Sequence, residues 1–161
     1  MVEAFLGLGS NLGDRAATLR SAVSMLGRNE GLRVTRVSSL YETPPWGPVP
    51  QGPYLNACVA VETELSPRDL LSVCLAVERA YGRERLERWG PRTLDIDVLV
   101  YGDAALNEPD LHIPHPRMAE RAFVLVPLAE IAPDLAIGGV PIDALLERVD
   151  RTDIRRVEST L

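Results

Sequence analysis

The 161-residue sequence predicts an α+β fold, because runs with the two-residue period of strands alternate with runs at helical spacing. Val2 to Leu8 is an apolar, strand-like run, and Tyr54 to Thr63 alternates between two faces. In chain order the predicted elements are strand, helix, strand, strand, helix and strand, followed by an extension. This βαββαβ order is that of a ferredoxin-like sandwich, a mainly antiparallel sheet with helices on one face.

Cap and turn residues set the limits of these elements. Asp14 is a good N-cap followed by an apolar stripe, which predicts a first helix from about Asp14 to Arg28. The run from Leu32 to Glu42 is predicted as one strand. Ser66 followed by Pro67 predicts the start of the second helix. A small peripheral helix is expected between residues 141 and 149, and the polar tail after it is expected to be loosely held.

Composition excludes several classes of function. The net charge of -6 gives no reason to expect binding to nucleic acid or to a membrane surface. All 17 basic residues are arginine, so a P-loop, which needs a lysine, is absent. Cys58 and Cys74 lack metal-ligand spacing, and the first residues lack a signal-peptide pattern. We expect a cytoplasmic protein with one domain over residues 1–161, in which residues 134–161 form a peripheral extension.

The stretch from Arg88 to Val100 joins an arginine-bearing loop to an apolar strand. Asp95 and Asp97 lie two residues apart in that strand and therefore point to the same face. Two neighbouring carboxylates repel each other unless a cation lies between them, and hard oxygen ligands suit Mg²⁺. The upstream arginines could bind the phosphates that complete such a site. The alternative is an Asp pair on a solvated face, balanced by Arg92.

Three further stretches are candidates for binding. The proline-rich loop over residues 43–53 carries Trp46, and Tyr54 and Asn56 emerge together beside it, which suits a flat heteroaromatic ligand but also an ordinary strand end. His115 is flanked by prolines, although a lone histidine is more often structural. The glycine-rich stretch over residues 7–14 matches a dinucleotide fingerprint only loosely and is predicted to be a tight turn.

Four motifs in order closely resemble those of the 6-hydroxymethyl-7,8-dihydropterin pyrophosphokinase family of folate biosynthesis. The similarity covers roughly residues 1–133, and the long arginine–aspartate motif is the most specific part. The motifs are Gly9-Ser10-Asn11-Leu12, Tyr41-Glu42-Thr43-Pro44-Pro45 with Tyr54-Leu55-Asn56-Ala57, Arg88-Trp89-Gly90-Pro91-Arg92-Thr93-Leu94-Asp95-Ile96-Asp97, and Ile113-Pro114-His115-Pro116-Arg117.

The resemblance implies an enzyme that transfers the terminal diphosphate of MgATP to the hydroxymethyl group of the pterin and leaves AMP. It implies that Asp95 and Asp97 hold two Mg²⁺ ions and that Arg83, Arg85 and Arg92 act in catalysis. The implied ATP-binding residues are Glu78, Arg88, Val98, His115 and Arg121. The implied pterin-binding residues are Thr43, Pro44, Trp46, Tyr54, Asn56 and Phe123.

Two readings from other classes remain open at this point. A ferredoxin-like RNA-binding module would need a basic, aromatic sheet face, and aromatic residues make up only 5% of the chain. A catalytically silent pterin-binding subunit would keep the pocket but consume no ATP. For the enzyme we expect a monomer whose partners are ATP and the pterin, with no nucleic acid and no membrane.

Overall fold

The computed structural model describes residues 1–11, 13–44, 52–81, 94–158 and 160–161. Strands and helices alternate through the first two thirds of the chain, and short elements follow. The strands are β1 Val2–Ser10, β2 Leu32–Val37, β3 Leu40–Thr43, β4 Tyr54–Thr63, β5 Asp95–Tyr101, β6 Leu106–Glu108, β7 Leu111–Ile113, β8 Ala136–Ile137, β9 Val140–Pro141 and β10 Arg155–Val157. The helices are α1 Arg15–Gly27, α2 Pro67–Ala80, α3 Ala122–Ile131 and α4 Ile142–Glu147, and a 3₁₀ turn spans Met118–Glu120.

The main sheet has the strand order β10-β3-β4-β1-β5, and β2 pairs with β4 next to β3. All of these pairs are antiparallel. The strands that the sequence predicts therefore meet in the order of a ferredoxin-like sheet, which confirms the predicted fold class. The caps of both long helices are also confirmed: the Asp14 side chain accepts from the Ala17 amide at 3.1 Å, and Ser66 accepts from the Asp69 amide at 3.1 Å.

The sheet separates two hydrophobic cores. Leu55, Ala57, Val59 and Val61 of β4 belong to the core on the side of α1 and α2, together with Ile96 and Val98 of β5. Cys58 and Ala60 belong to the core on the opposite side, with residues of α3 and α4. The prediction of helices on one face is thus incomplete, because α3 is apolar around its circumference and is buried against the second face of the sheet.

Two local expectations were wrong. The single strand predicted over 32–42 is divided into β2 and β3 at Ser38 and Ser39, where side chains add hydrogen bonds to the backbone. The Ser38 hydroxyl accepts from the Cys58 amide at 2.9 Å, and the Ser39 amide donates to the Glu130 carboxylate at 3.0 Å.

The C-terminal tail is also better ordered than expected. Its strand β10 pairs with β3, and the Arg155 guanidinium donates to the Glu42 carboxylate at 2.6 Å. The Thr160 carbonyl oxygen accepts from Arg20 at 3.0 Å, and Leu161 packs against the core beside α1. Among the described residues, no helix is long and apolar enough to span a membrane.

Candidate active site

Asp95 and Asp97 lie on β5 and face the same side of the sheet, as their spacing predicts. Their neighbours Ile96 and Val98 are buried in the core on the other side. Both carboxylates are half-buried and line a cavity that opens on the face covered in part by α3. They do not stand on a fully solvated face.

Glycines form the floor of this cavity. In the sheet register Gly7 stands opposite Asp97 on one side and Cys58 on the other, and Gly9 stands opposite Asp95 and Asn56. A Cβ atom on Gly9 would come within 3.1 Å of the Asn56 Oδ1 atom, which is closer than side chains normally pack. Because Gly7 and Gly9 have no side chains, β1 leaves room between the two carboxylates and Asn56.

Asn56 and Thr43 form the far wall of the cavity. The Asn56 amide nitrogen donates to the Thr43 hydroxyl at 2.8 Å, and both residues are buried. Thr43 also stands opposite Tyr54 in the β3–β4 register, and Tyr54 is buried at the cavity edge. The Thr43 hydroxyl thus fixes the orientation of the Asn56 amide. In this orientation the amide can form hydrogen bonds with the edge of a flat ligand.

The N-terminal end of α3 supplies a cation and an aromatic ring. Arg121 and Phe123 both line the cavity, and the Arg121 guanidinium carbon lies 5.6 Å from the centre of the Phe123 ring. A guanidinium over a ring face is attracted to it, and this guanidinium is also suited to bind a phosphate. The cavity therefore has an apolar, amide-bearing half and a half that carries charges of both signs.

The C-terminal end of α3 is fixed to the sheet by Glu130. Its carboxylate accepts from the Tyr41 hydroxyl at 2.6 Å and from the Ser39 hydroxyl at 2.8 Å. Burial and the hydrogen bond to Glu130 raise the pKa of Tyr41 to about 12. Burial opposes ionisation of Glu130, but the bonds from Tyr41 and Ser39 outweigh it and hold the pKa of the carboxyl below its ordinary value.

His115 lies close enough to the site to interact with its charges. Its Nδ1 atom accepts from the Arg117 amide at 3.2 Å, so the neutral ring carries its proton on Nε2. Burial lowers the pKa of His115, the Asp97 carboxylate opposes that shift, and Arg121 adds to it. The imidazole is therefore favoured in its neutral form, as a hydrogen-bond donor through Nε2.

The structure brings together most of the predicted site residues that it describes. Asp95, Asp97, Arg121, Thr43, Tyr54, Asn56 and Phe123 all line the one cavity. Pro44 is exposed at the end of β3 and does not line it. Five predicted site residues lie outside the described residues, and their roles stay predictions: Trp46, Arg83, Arg85, Arg88 and Arg92.

Two predicted nucleotide-binding residues belong to the helix side of the sheet. Glu78, at the end of α2, is buried, and its Oε2 atom accepts from the Ile96 amide at 2.9 Å. The Val98 side chain is buried in the same core. Any contact of Val98 with a nucleotide would therefore use its backbone, and Glu78 holds the start of β5 beside Asp95.

Sequence reasoning missed Gly7, Gly9 and Cys58, which all line the cavity. The sequence predicts a tight turn over residues 7–14, but β1 continues to Ser10 and includes both glycines. A glycine inside a strand often marks a close approach by a ligand, and that signal was present. Cys58 is buried and burial raises the pKa of its thiol, so it serves as a neutral wall residue.

The donor set fits Mg²⁺ shared with a phosphate substrate. Among the residues that the structure describes, no group of three or more His, Cys, Asp or Glu side chains could hold a metal ion by itself. Mg²⁺ is commonly held by one or two carboxylates, with water and substrate phosphates as the other ligands. Asp95 and Asp97 provide this kind of partial site.

The fold and the cavity define an α+β domain of ferredoxin-like architecture with a charged cavity on one face of its sheet. Solved structures support the fold: a crystal structure of HPPK-DHPS in complex with substrates superposes with a TM-score of 0.77 at 13% identity over 96% of this chain. This chain spans 46% of that longer one.

Sequence comparisons identify the family. Residues 5–133 match the model of 7,8-dihydro-6-hydroxymethylpterin-pyrophosphokinase (HPPK), and the chain belongs to this family. It is 54% identical over 158 residues, 98% of this chain and 100% of the relative, to 2-amino-4-hydroxy-6-hydroxymethyldihydropteridine pyrophosphokinase of Methylorubrum extorquens. The protein of the same name from Synechocystis is 48% identical over 153 residues, 94% of this chain and 78% of the relative.

Proposed function

We propose that this protein transfers the terminal diphosphate of MgATP to the hydroxymethyl group of 6-hydroxymethyl-7,8-dihydropterin, giving the pterin diphosphate and AMP in folate biosynthesis. Family membership supports the pyrophosphoryl transfer. The single observation that carries the assignment of residues is that Asp95 and Asp97 share one cavity with Thr43, Asn56 and Phe123. A phosphate-handling group and a site for a flat ring thus stand side by side.

The carboxylate side of the cavity is proposed to handle the triphosphate. Asp95 and Asp97 hold two Mg²⁺ ions, which would neutralise phosphate charge and orient the attacking hydroxyl when bound. Arg121 and His115 bind phosphate oxygens, as a cation and as a neutral donor respectively. Arg121 and Asp97 line the same cavity, and the charges of both affect the pKa of His115.

The opposite side is proposed to bind the pterin. Asn56 reads the polar edge of the ring system, and its orientation is fixed by the 2.8 Å bond to Thr43. Tyr54 and Phe123 supply aromatic surface. Pro44 and Trp46 are assigned to the pterin on the family motifs alone. The two halves of the cavity are continuous across its floor, because Gly7 and Gly9 carry no side chain.

The remaining assignments rest on the family motifs. Arg83, Arg85 and Arg92 stabilise the transferring diphosphate, and Glu78, Arg88 and Val98 belong to the ATP side. No strong general base is assigned, since positioning and charge neutralisation supply most of the rate. The protein acts as a monomer of one domain over residues 1–161. A reducing, cytoplasmic location is supported by the free, buried thiols of Cys58 and Cys74.

Product analysis tests the function directly. With the reduced pterin alcohol, ATP and Mg²⁺, the protein should form AMP and the pterin diphosphate in equal amounts. ADP as the product would show an ordinary kinase, and binding of the pterin without consumption of ATP would show a silent binding subunit. The product should not form when Mg²⁺ is removed by a chelator.

A further inference from the structure

We propose that Arg15 is a positioning residue for the pterin site, acting from the opposite side of the sheet by fixing the ends of β3 and β4 relative to each other. This inference rests on the proposed function, because it assigns the pterin to the wall made by Thr43, Tyr54 and Asn56. Neither a sequence motif nor a contact with the cavity points to Arg15, which does not line it.

The guanidinium of Arg15 bridges Glu42 near the end of β3 and Pro53 just before β4. Its Nη1 atom donates to the Pro53 carbonyl oxygen at 2.9 Å, and its Nη2 atom donates to the Glu42 carboxylate at 3.0 Å. Glu42 directly precedes Thr43, and Pro53 directly precedes Tyr54. Thr43 and Tyr54 are themselves opposite each other in the β3–β4 register. A rigid planar fork therefore links the two strand ends in addition to the β3–β4 pairing.

The bridge lies behind the pocket. Glu42 stands opposite Leu55 in the register, and Leu55 is part of the core on the side of α1 and α2. Thr43 and Asn56 face the cavity on the other side. Arg15 thus cannot act by touching the ligand, and its influence passes through the backbone of the residues that precede Thr43 and Tyr54.

The position of Arg15 in its helix supports a role outside that helix. It is the first residue of α1, directly after the N-cap Asp14, and the first turn itself contains no acidic residue. A cation at a helix N-terminus is disfavoured by the helix dipole. The Arg15 side chain is 29% exposed and its partner Glu42 23%, whereas Arg155, in the second ion pair made by Glu42, is 74% exposed.

A matched control exists on the same carboxylate. Arg155 donates to the other oxygen of Glu42 at 2.6 Å, and no contact joins it to Pro53. The Arg155 and Arg15 bonds, in that order, lower the pKa of Glu42. Arg155→Ala removes an ion pair from Glu42 but leaves the bridge to Pro53 in place, whereas Arg15→Ala removes both bonds of the bridge.

The test is calorimetric binding of the pterin to Arg15→Ala, Arg15→Lys and Arg155→Ala proteins, in the presence of Mg²⁺ and a non-hydrolysable ATP analogue. Arg15→Ala should weaken pterin binding roughly tenfold while binding of the analogue changes by less than about twofold. Arg15→Lys keeps the charge but has no fork, so it should also weaken pterin binding. Arg155→Ala should stay within about twofold of the unchanged protein.

Each outcome decides between alternatives. Equal effects of Arg15→Ala and Arg155→Ala on pterin binding would overturn the proposal, because the charge on Glu42 alone would then be responsible. So would an equal loss of pterin and nucleotide binding, which is what general loosening produces. If Arg15→Ala does not fold, Arg15→Lys decides by the same two measurements. Asn56→Ala distinguishes failure of the proposed pterin pocket from failure of the proposed role of Arg15. Normal pterin binding by Asn56→Ala would refute the assigned pterin pocket. Weak binding by Asn56→Ala together with normal binding by both Arg15 variants would refute only the role of Arg15.

Discussion

Gly9 lies so close to Asn56 that a Cβ atom on the glycine would come within 3.1 Å of the Asn56 Oδ1 atom. The other side of the Asn56 amide is bonded to the Thr43 hydroxyl at 2.8 Å. The amide is therefore held between a hydrogen bond and a contact surface that only glycine provides. This arrangement explains why a residue that weakens strands is found within the central strand β1.

Gly9→Ala should lower pterin affinity more than it lowers stability. The added methyl group displaces the Asn56 amide by a few tenths of an ångström and fills part of the cavity floor. We expect a roughly tenfold higher KM for the pterin and a loss of about 1 kcal/mol in the free energy of unfolding. Steady-state kinetics and urea denaturation measure the two quantities. Gly27→Ala is the control, since its Cβ atom would meet only the Val34 side chain, at 3.9 Å. An unchanged KM in Gly9→Ala would contradict the role of the glycine floor.

Asp95→Asn and Asp97→Asn should each reduce turnover by at least about a hundredfold, because an amide binds Mg²⁺ less well than a carboxylate does. Both residues are half-buried on the strand surface, so the fold should survive. AMP formation over a range of Mg²⁺ concentrations measures the effect. Asp103→Asn changes an exposed carboxylate just beyond β5 and should leave activity intact. Full activity in both site variants would refute the assigned metal ligands.

Thr43→Val should weaken pterin recognition without altering the shape of the side chain. It removes the acceptor of the buried Asn56 amide nitrogen, and a buried polar group without its partner costs about 1–3 kcal/mol. Roughly a tenfold rise in the pterin dissociation constant is expected. Thr35→Val, in β2, removes a hydroxyl that donates to the Ala60 carbonyl at 3.1 Å away from the cavity, and it should not affect binding. Equal binding by both variants would show that Thr43 does not orient Asn56.

Glu130→Gln should destabilise the protein at neutral pH but not in acid. The pKa of Glu130 is below its ordinary value in the folded protein, so the ionised carboxylate stabilises the fold above the unfolded pKa of about 4.3. That contribution is lost as the pH falls through the folded pKa. We expect a difference of about 1 kcal/mol at pH 7, allowing for solvent screening, which disappears once the pH is below the folded pKa of Glu130. Urea denaturation at several pH values measures it, with Glu147→Gln on the exposed face of α4 as the control. A difference independent of pH would exclude the charge as its cause.

The order of strands and helices was readable from the sequence because local signals specify it. The cap at Asp14, the Ser66-Pro67 start and the alternation of β4 each depend on neighbouring residues only. The break between β2 and β3 was not readable in this way. It depends on the bond that the Cys58 amide donates to the Ser38 hydroxyl and on the bond that the Ser39 amide donates to Glu130, which is 91 residues further along the chain than Ser39.

Some features of the candidate site were likewise readable from the sequence, and others were not. The common face of Asp95 and Asp97, and that of Tyr54 and Asn56, follow from the two-residue period of a strand. The family motifs named these residues, but no local pattern showed that both faces belong to one cavity.

By itself, the sequence determined the family, the fold class and which chemical groups are available, because these depend on residue identity and local periodicity. Only the tertiary structure decided how they meet. Sheet register places Gly9 between Asn56 and Asp95, and the packing of α3 brings Arg121 and Phe123 over them. Register and packing are set by contacts between residues far apart in the chain, and hydrophobic pattern along one segment carries no information about them.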